Sequence, residues 1–251
     1  MAIVAVVILG TGALLFAGKS PTTTTTSTTT ASTTTTVGTT TTTLTATALK
    51  AAQASANTKA VAAGCPASTT TRVNNLSWKT APAMTIVKTK NYFANFVTTA
   101  GNFKVKLDAA TAPITTNNFV FLANQGFFKC VIFHRVIPGF VIQGGDPSGS
   151  GTSGPGYTIA DEYPKAGSPT YPLFSLAMAN TRHPHTGGSQ FFIITGPSGE
   201  TLPNTYSLFA QAISGFNVIK LIDSEGNPSP ASSGTPPLVT QRMLSVTITN
   251  S

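Results

Sequence analysis

FHRVIPGFVIQGGD, residues Phe133 to Asp146, holds two short apolar runs joined by Pro138-Gly139. Val136 and Ile137 on one side, and Phe140 to Ile142 on the other, favour strands, while Pro-Gly favours the turn between them. The reading is a β-hairpin. Arg135 and Gln143 stand on opposite arms of it, so the fold of the hairpin can bring a guanidinium beside a side-chain amide.

The flanking sequence repeats the pattern. Phe103, Val105 and Leu107 alternate with Lys104 and Lys106, the period of a half-buried strand. Tyr92 to Val97 is its expected partner, turning through Ala100-Gly101-Asn102. Pro113 opens a helix that puts Phe119, Leu122 and Ala123 on one face and can end at Gly126. Short β-rich runs then cover Val131 to Ile137, Phe140 to Gln143, Phe174 to Met178, Phe191 to Thr195, Ser207 to Ile213 and Met243 to Thr249, with a second helix over Asn217 to Asp223. Many short strands with two helices predict a mainly-β fold, a closed eight-stranded antiparallel β-barrel capped by two α-helices, and exclude a doubly wound sheet.

Ahead of these elements the composition changes. Met1 to Gly18 is an uncharged apolar run, about 27 Å long as a helix against a bilayer core of about 30 Å. Residues 1–18 are read as a signal peptide or a membrane anchor, and either takes the chain out of the cytoplasm. Pro21 to Leu49 is nearly all Thr with Ser, Ala and Gly, and buries no apolar face. Lys50 to Ala81 stays Ala-, Thr- and Asn-rich, so residues 19–81 are read as a disordered Thr/Ala-rich linker and 82–251 as the globular domain. The segment before Tyr92 is expected to be dispensable for activity.

The formal charge is +8, yet only 9% of residues are charged, against roughly 25% in an ordinary domain. Up to Asn91 there are seven bases and no acids; beyond it, eight bases face seven acids, leaving about +1. A folded part so nearly neutral excludes a nucleic-acid partner. A complete Gly-x-x-x-x-Gly-Lys-Ser/Thr phosphate loop, a nucleophile elbow and a zinc helix are all missing from the sequence. His183 and His185 form a lone His-x-His in a Pro-containing loop, too few ligands for a metal. Asp161 and Glu162 point to opposite faces if extended, which disfavours a paired-carboxylate hydrolase. No cofactor and no metal are therefore expected. Cys65 and Cys130 are the only cysteines, and in an exported chain they should pair; the alternative is two free thiols.

The Phe133–Asp146 block resembles the signature of the cyclophilin family of peptidyl-prolyl cis-trans isomerases. Met178-Ala179-Asn180 followed by Gly188-Ser189-Gln190-Phe191-Phe192-Ile193 is similar to that family's other hallmark. Gly149 to Glu162, GSGTSGPGYTIADE, resembles the Gly-rich loop of short bacterial members. The resemblance covers Tyr92 to Asn250. It implies an isomerase of X-Pro bonds in exported proteins, assisting their folding, with Arg135, Gln143 and Phe192 catalytic. It also implies an apolar cup of Phe140, Val141, Phe192 and Leu202, with His134 and Tyr206 at its rim. Asn180 would pair its backbone with the substrate, and Ala179 and Gln190 would line the groove. Partners would be proline-containing polypeptides, with the membrane touched only through the N-terminal segment and the chain monomeric. Thr201 stands where many members have Trp, which implies weak inhibition by cyclosporin. The rival readings are a non-catalytic module that binds proline segments and a surface scaffold protein; intact Arg135, Gln143 and Phe192 argue against both.

Overall fold

In a computed structural model, residues 45–165 and 170–251 are described. The expectations for residues 1–18 and for the Thr run to Leu44 lie outside these residues.

Alternating burial along Tyr92–Thr98 (β1) and Gly101–Leu107 (β2) makes the expected hairpin, with Phe96 opposite Phe103 and their rings stacked at 4.5 Å. Thr98 pairs with Gly101, so Thr99-Ala100 forms the turn, one step earlier than the sequence suggested. Gly101 sits at φ +132°, and a Cβ there would meet Val218 Cγ2 at 2.8 Å. Only glycine lets the turn pass this close to the later helix.

Helix α2, Pro113–Asn124, starts on Pro113 as predicted, but its N-cap Ala112 has no side chain to offer. Glu162 supplies the missing acceptors, its two carboxylate oxygens taking the Ile114 and Thr115 N–H groups at 2.9 and 2.8 Å. A carboxylate there also faces the positive end of the helix dipole. Phe119 of this helix lies against Phe128, Phe209 and Phe191 with centroids at 4.9, 5.3 and 5.7 Å. Truncating so buried a ring to Ala costs about 3–5 kcal/mol.

The remaining strands are β3 Arg135–Ile137, β4 Val141–Gly144, β5 Ser175–Met178, β6 Phe191–Ile194, β7 Leu208–Ser214 and β8 Met243–Asn250. Helices α3, Pro197–Glu200, and α4, Phe216–Ser224, interrupt them. All pairings are antiparallel in one sheet ordered β3-β4-β6-β5-β7-β2-β1-β8. The sheet curls into a half-barrel. Its edge strands β3 and β8 share no ladder and meet only beside the isolated bridge Ile132↔Arg242, so the pairing stops short of the closed barrel expected from sequence. Three residues of β3 are too short an edge to complete it.

The linker expectation is corrected over residues 45–81. Ala46–Ala62 is helix α1, capped by Thr45 Oγ1 accepting from Ala48 N–H at 3.2 Å. Together with the one-turn α3, it raises the helices above the two predicted. Alanine is the strongest helix former, and Ala56 and Ala60 are buried, small enough for close approach. The helix ends in a Schellman motif: Gly64 at φ +78°, its N–H on Val61 O, and Cys65 N–H on Ala60 O, both at 2.9 Å. That turn delivers Cys65 to Cys130, and the two form a disulfide. From there the chain runs on as an irregular strap over the barrel, with Trp78 edge-on to Phe121 at 5.0 Å.

Candidate active site

Period-two alternation gives the curled sheet two unlike faces. Val136, Ile142, Phe191 and Ile193 point inward to the main core. Their neighbours Arg135, Val141, Gln143, Phe192 and Ile194 point the other way, and Val141, Phe192, Ile194, Ala177 and Tyr171 form a second apolar cluster. Phe140, Ala179, Leu202, Tyr206 and Leu208 pack around it, half exposed. Strand pairing sets the arrangement: Arg135 is opposite Gln143, Gln143 opposite Phe192, and Phe192 opposite Ala177.

A chain of hydrogen bonds runs along the edge of this floor. Arg135 Nη1 donates to Gln143 Oε1 at 3.2 Å, and Arg135 Nε donates to Ser233 O at 3.0 Å. Gln143 Nε2 donates to Gln190 Oε1 at 3.1 Å, and Gln190 Nε2 donates to Ser153 O at 3.0 Å. The chain has a direction. A backbone carbonyl only accepts, so Gln190 must turn its NH2 toward Ser153 and its oxygen toward Gln143. Gln143 must then turn its own oxygen to the guanidinium. Either amide reversed would set donor against donor.

The guanidinium also lies 5.9 Å from the Phe140 ring centroid. Burial lowers its pKa from the ordinary arginine value, yet arginine remains a cation at any working pH. Phe192 meets Tyr206 edge-on at 5.2 Å. Tyr171, fully buried, supports this wall from below: its hydroxyl lies 3.1 Å from the Pro203 and Tyr206 carbonyls and accepts the Tyr206 N–H at 3.1 Å. Asn180 is held by its side chain, Nδ2 donating to Thr205 O at 2.8 Å and Oδ1 accepting from Arg182 N–H at 3.0 Å.

Of the sequence-predicted set, Arg135, Gln143, Phe192, Phe140, Val141, Ala179, Gln190, Leu202 and Tyr206 share this face, with Asn180 at its end. His134 does not. It is 4% exposed and buried off the apolar floor, against Gly151 of the Gly-rich loop. Burial, opposed by the Asp146 charge and assisted by Arg135, lowers its pKa to about 4, so His134 is neutral near pH 7. Asp146 is buried too, which raises its pKa. The Ser148 hydroxyl and the Ser153 and Ser148 N–H groups outweigh that and hold the carboxyl below its ordinary range. Ser153, Ser233 and Tyr171 were missed by sequence reasoning. Two of them act through backbone carbonyls, which carry no residue signature, and only the glycine density around Ser153 could have drawn notice.

Residues 93–248 match the family described as cyclophilin type peptidyl-prolyl cis-trans isomerase/CLD. Peptidyl-prolyl cis-trans isomerase B of Bacillus subtilis is 45% identical over 127 residues, 50% of this chain and 86% of that protein. The protein of the same name from Streptomyces anulatus is 39% identical over 148 residues, 53% of this chain and 82% of its own. A Cryptosporidium parvum cyclophilin type isomerase, solved in the presence of the dipeptide Ala-Pro, superposes with TM-score 0.56 at 31% identity, covering 62% of this chain and 98% of that one. With a signature hairpin, an antiparallel half-barrel and a family match over more than half its length, this chain belongs to the cyclophilin-type peptidyl-prolyl cis-trans isomerases.

Proposed function

We propose that the outer face of β3, β4, β6 and β5 is where an X-Pro segment binds and turns. The pyrrolidine ring rests on the floor of Val141 and Phe192, walled by Phe140, Leu202 and Tyr206, while the backbone of Asn180 pairs with the extended segment beside Ala179. Arg135 supplies the chemistry. A peptide bond resists rotation, with a barrier of about 18–20 kcal/mol, because nitrogen lends its lone pair to the carbonyl. In the twisted state that lone pair returns to the nitrogen, which becomes a hydrogen-bond acceptor. A guanidinium N–H aimed at it stabilises the twisted state and not the planar one, and such differential binding raises rate. Stabilisation of roughly 5 kcal/mol gives about 4,000-fold. The observation that carries this reading is the Arg135–Gln143–Gln190 chain beside an apolar floor. With Nε and Nη1 engaged by the protein, the Nη2 hydrogens have no partner among the described residues.

The clients, on this reading, are proteins folding outside the cytoplasm, with residues 1–18 the signal or anchor. The disulfide supports that setting, since such bonds persist in oxidising compartments. The chain would act as a monomer. Exchange NMR on an X-Pro peptide tests the reaction: catalytic amounts of the protein should speed cis-trans exchange. Peptide shifts without faster exchange would leave only the binding-module reading.

A further inference from the structure

The strap ahead of the barrel lies over one particular loop. Val73 N–H donates to Pro147 O and Trp78 N–H to Pro155 O, both at 2.9 Å, so the Gly-rich loop is tied to it just before its start and again midway. Between these ties Arg72 Nη1 donates to Ser153 Oγ at 2.8 Å, while its Nε donates to Asn74 O at 2.8 Å. One guanidinium thus bridges strap and loop. The strap has its own seat: Asn74 Nδ2 on Phe127 O at 2.9 Å, and Ser68 O accepting from Nη2 of the buried Arg242 at 2.7 Å. Contact with the loop is close enough that a Cβ on Gly156 would meet Ser77 Oγ at 2.2 Å and Trp78 O at 2.8 Å.

Ser153, the residue clamped at the middle, is also the terminus of the amide chain, its carbonyl holding Gln190. The loop around it contains Gly149, Gly151, Gly154 and Gly156, so what holds it is the Asp146 carboxylate, which takes the Ser148 and Ser153 N–H groups from one side, and the strap from the other. A shift of about 1 Å would carry a 3.0 Å bond out of hydrogen-bonding range. Gln190 would then be free to turn, and with it Gln143 and the guanidinium it steadies.

We propose that the strap is a positioning element for the isomerase, with Arg72 its positioning residue, fixing Ser153 and through it Gln190, Gln143 and Arg135. The inference rests on the reading that Arg135 and Gln143 carry the reaction. It runs against the expectation that the segment before Tyr92 is dispensable. The apolar floor is untouched by the strap, so the effect falls on turnover and leaves substrate affinity alone.

The test uses the full chain with Arg72→Ala, Arg72→Lys, and Arg72→Ala combined with Asn74→Ala. kcat and KM are measured at a temperature where circular dichroism shows each variant folded, with Arg135→Ala run alongside. Arg72→Ala should lower kcat by about three- to thirty-fold with KM within about two-fold of wild type. Arg72→Lys should recover part of this, since an ammonium can reach Ser153 Oγ but cannot hold Asn74 O at once. The double variant should fall at least as far as Arg72→Ala. Wild-type kcat in Arg72→Ala and in the double variant, with Arg135→Ala inactive, overturns the proposal. So does a fall in melting temperature with kcat unchanged. Wild-type activity in Arg135→Ala instead overturns the underlying site reading.

Discussion

Truncating Arg135 should separate chemistry from folding. Arg135→Ala removes a guanidinium that donates to Gln143 Oε1 and Ser233 O at 3.2 and 3.0 Å on the half-exposed face of the sheet. Water can reach both acceptors once the side chain is gone, so the stability loss is about 1–2 kcal/mol. For a chain of this size that is about 2–8 °C in Tm. The transition state loses more. A charge-assisted hydrogen bond is worth about 1.5–3 kcal/mol, which at 1.36 kcal/mol per decade is about 10- to 150-fold in kcat/KM. A dry groove raises the upper figure toward about a thousand-fold, because electrostatic terms grow as water leaves. Arg135→Lys should not restore the rate, since one ammonium cannot bond Gln143 and the prolyl nitrogen in the same plane. A protease-coupled assay with an X-Pro peptide gives kcat/KM, and circular dichroism the fold. A folded Arg135→Ala protein with wild-type activity would refute the mechanism.

Three further outcomes are expected. The Cys65–Cys130 bond closes a loop with a sequence separation of 65, worth about 4 kcal/mol by chain entropy; Cys65→Ser with Cys130→Ser should lower Tm by about 8–16 °C in calorimetry, and an unchanged Tm would show that the strap holds without it. His134 has its pKa lowered to about 4 by burial, while the unfolded chain titrates near about 6.5. The unfolded state therefore binds more protons between these values, and stability is complete above the upper one and lost as pH falls toward the lower, by up to about 3 kcal/mol. Urea unfolding from pH 7 to 4 should show this slope, and His134→Gln should flatten it; a variant that keeps the full slope would move the cause elsewhere. Thr201, exposed at the end of α3 beside Leu202, leaves the cup without an indole. Cyclosporin should inhibit weakly and gain about two- to ten-fold on Thr201→Trp; tight inhibition with no gain would contradict this.

The hairpin was legible because both of its determinants are local: strand formers on each side and a turn pair between them. His134 was harder to place: Phe133 and Val136 both face the core, so the alternation breaks between them and period two does not fix the direction of His134. Helix α1 was hidden for a different reason. A face made of Ala56 and Ala60 contrasts little with its Ala- and Thr-rich surroundings, so no amphipathic pattern announces it. The strap is less legible still. Two of its three ties to the loop are the N–H groups of Val73 and Trp78, and every residue but proline has one. Glu162 capping α2 from the far side of the Gly-rich loop has no local signal either.

The two glycines after Gln143 connect these levels. Gly144 faces inward, where a Cβ would meet the Phe133 ring at 2.9 Å. Gly145 adopts φ +92°, and a Cβ there would lie 2.2 Å from Ser189 O and 2.9 Å from Gln190 Cα. The end of β4 can therefore press against the start of β6 because Gly145 has no side chain, and against Phe133 because Gly144 has none. That approach keeps Gln143 Nε2 within 3.1 Å of Gln190 Oε1. Without it, the directional amide chain would break one step from Arg135, although every polar residue of the chain was still present. Glycines with no chemistry of their own thus set the reach of the groups that have it. A motif of this kind is read as a unit because close backbone passage and side-chain bonding constrain the same few atoms.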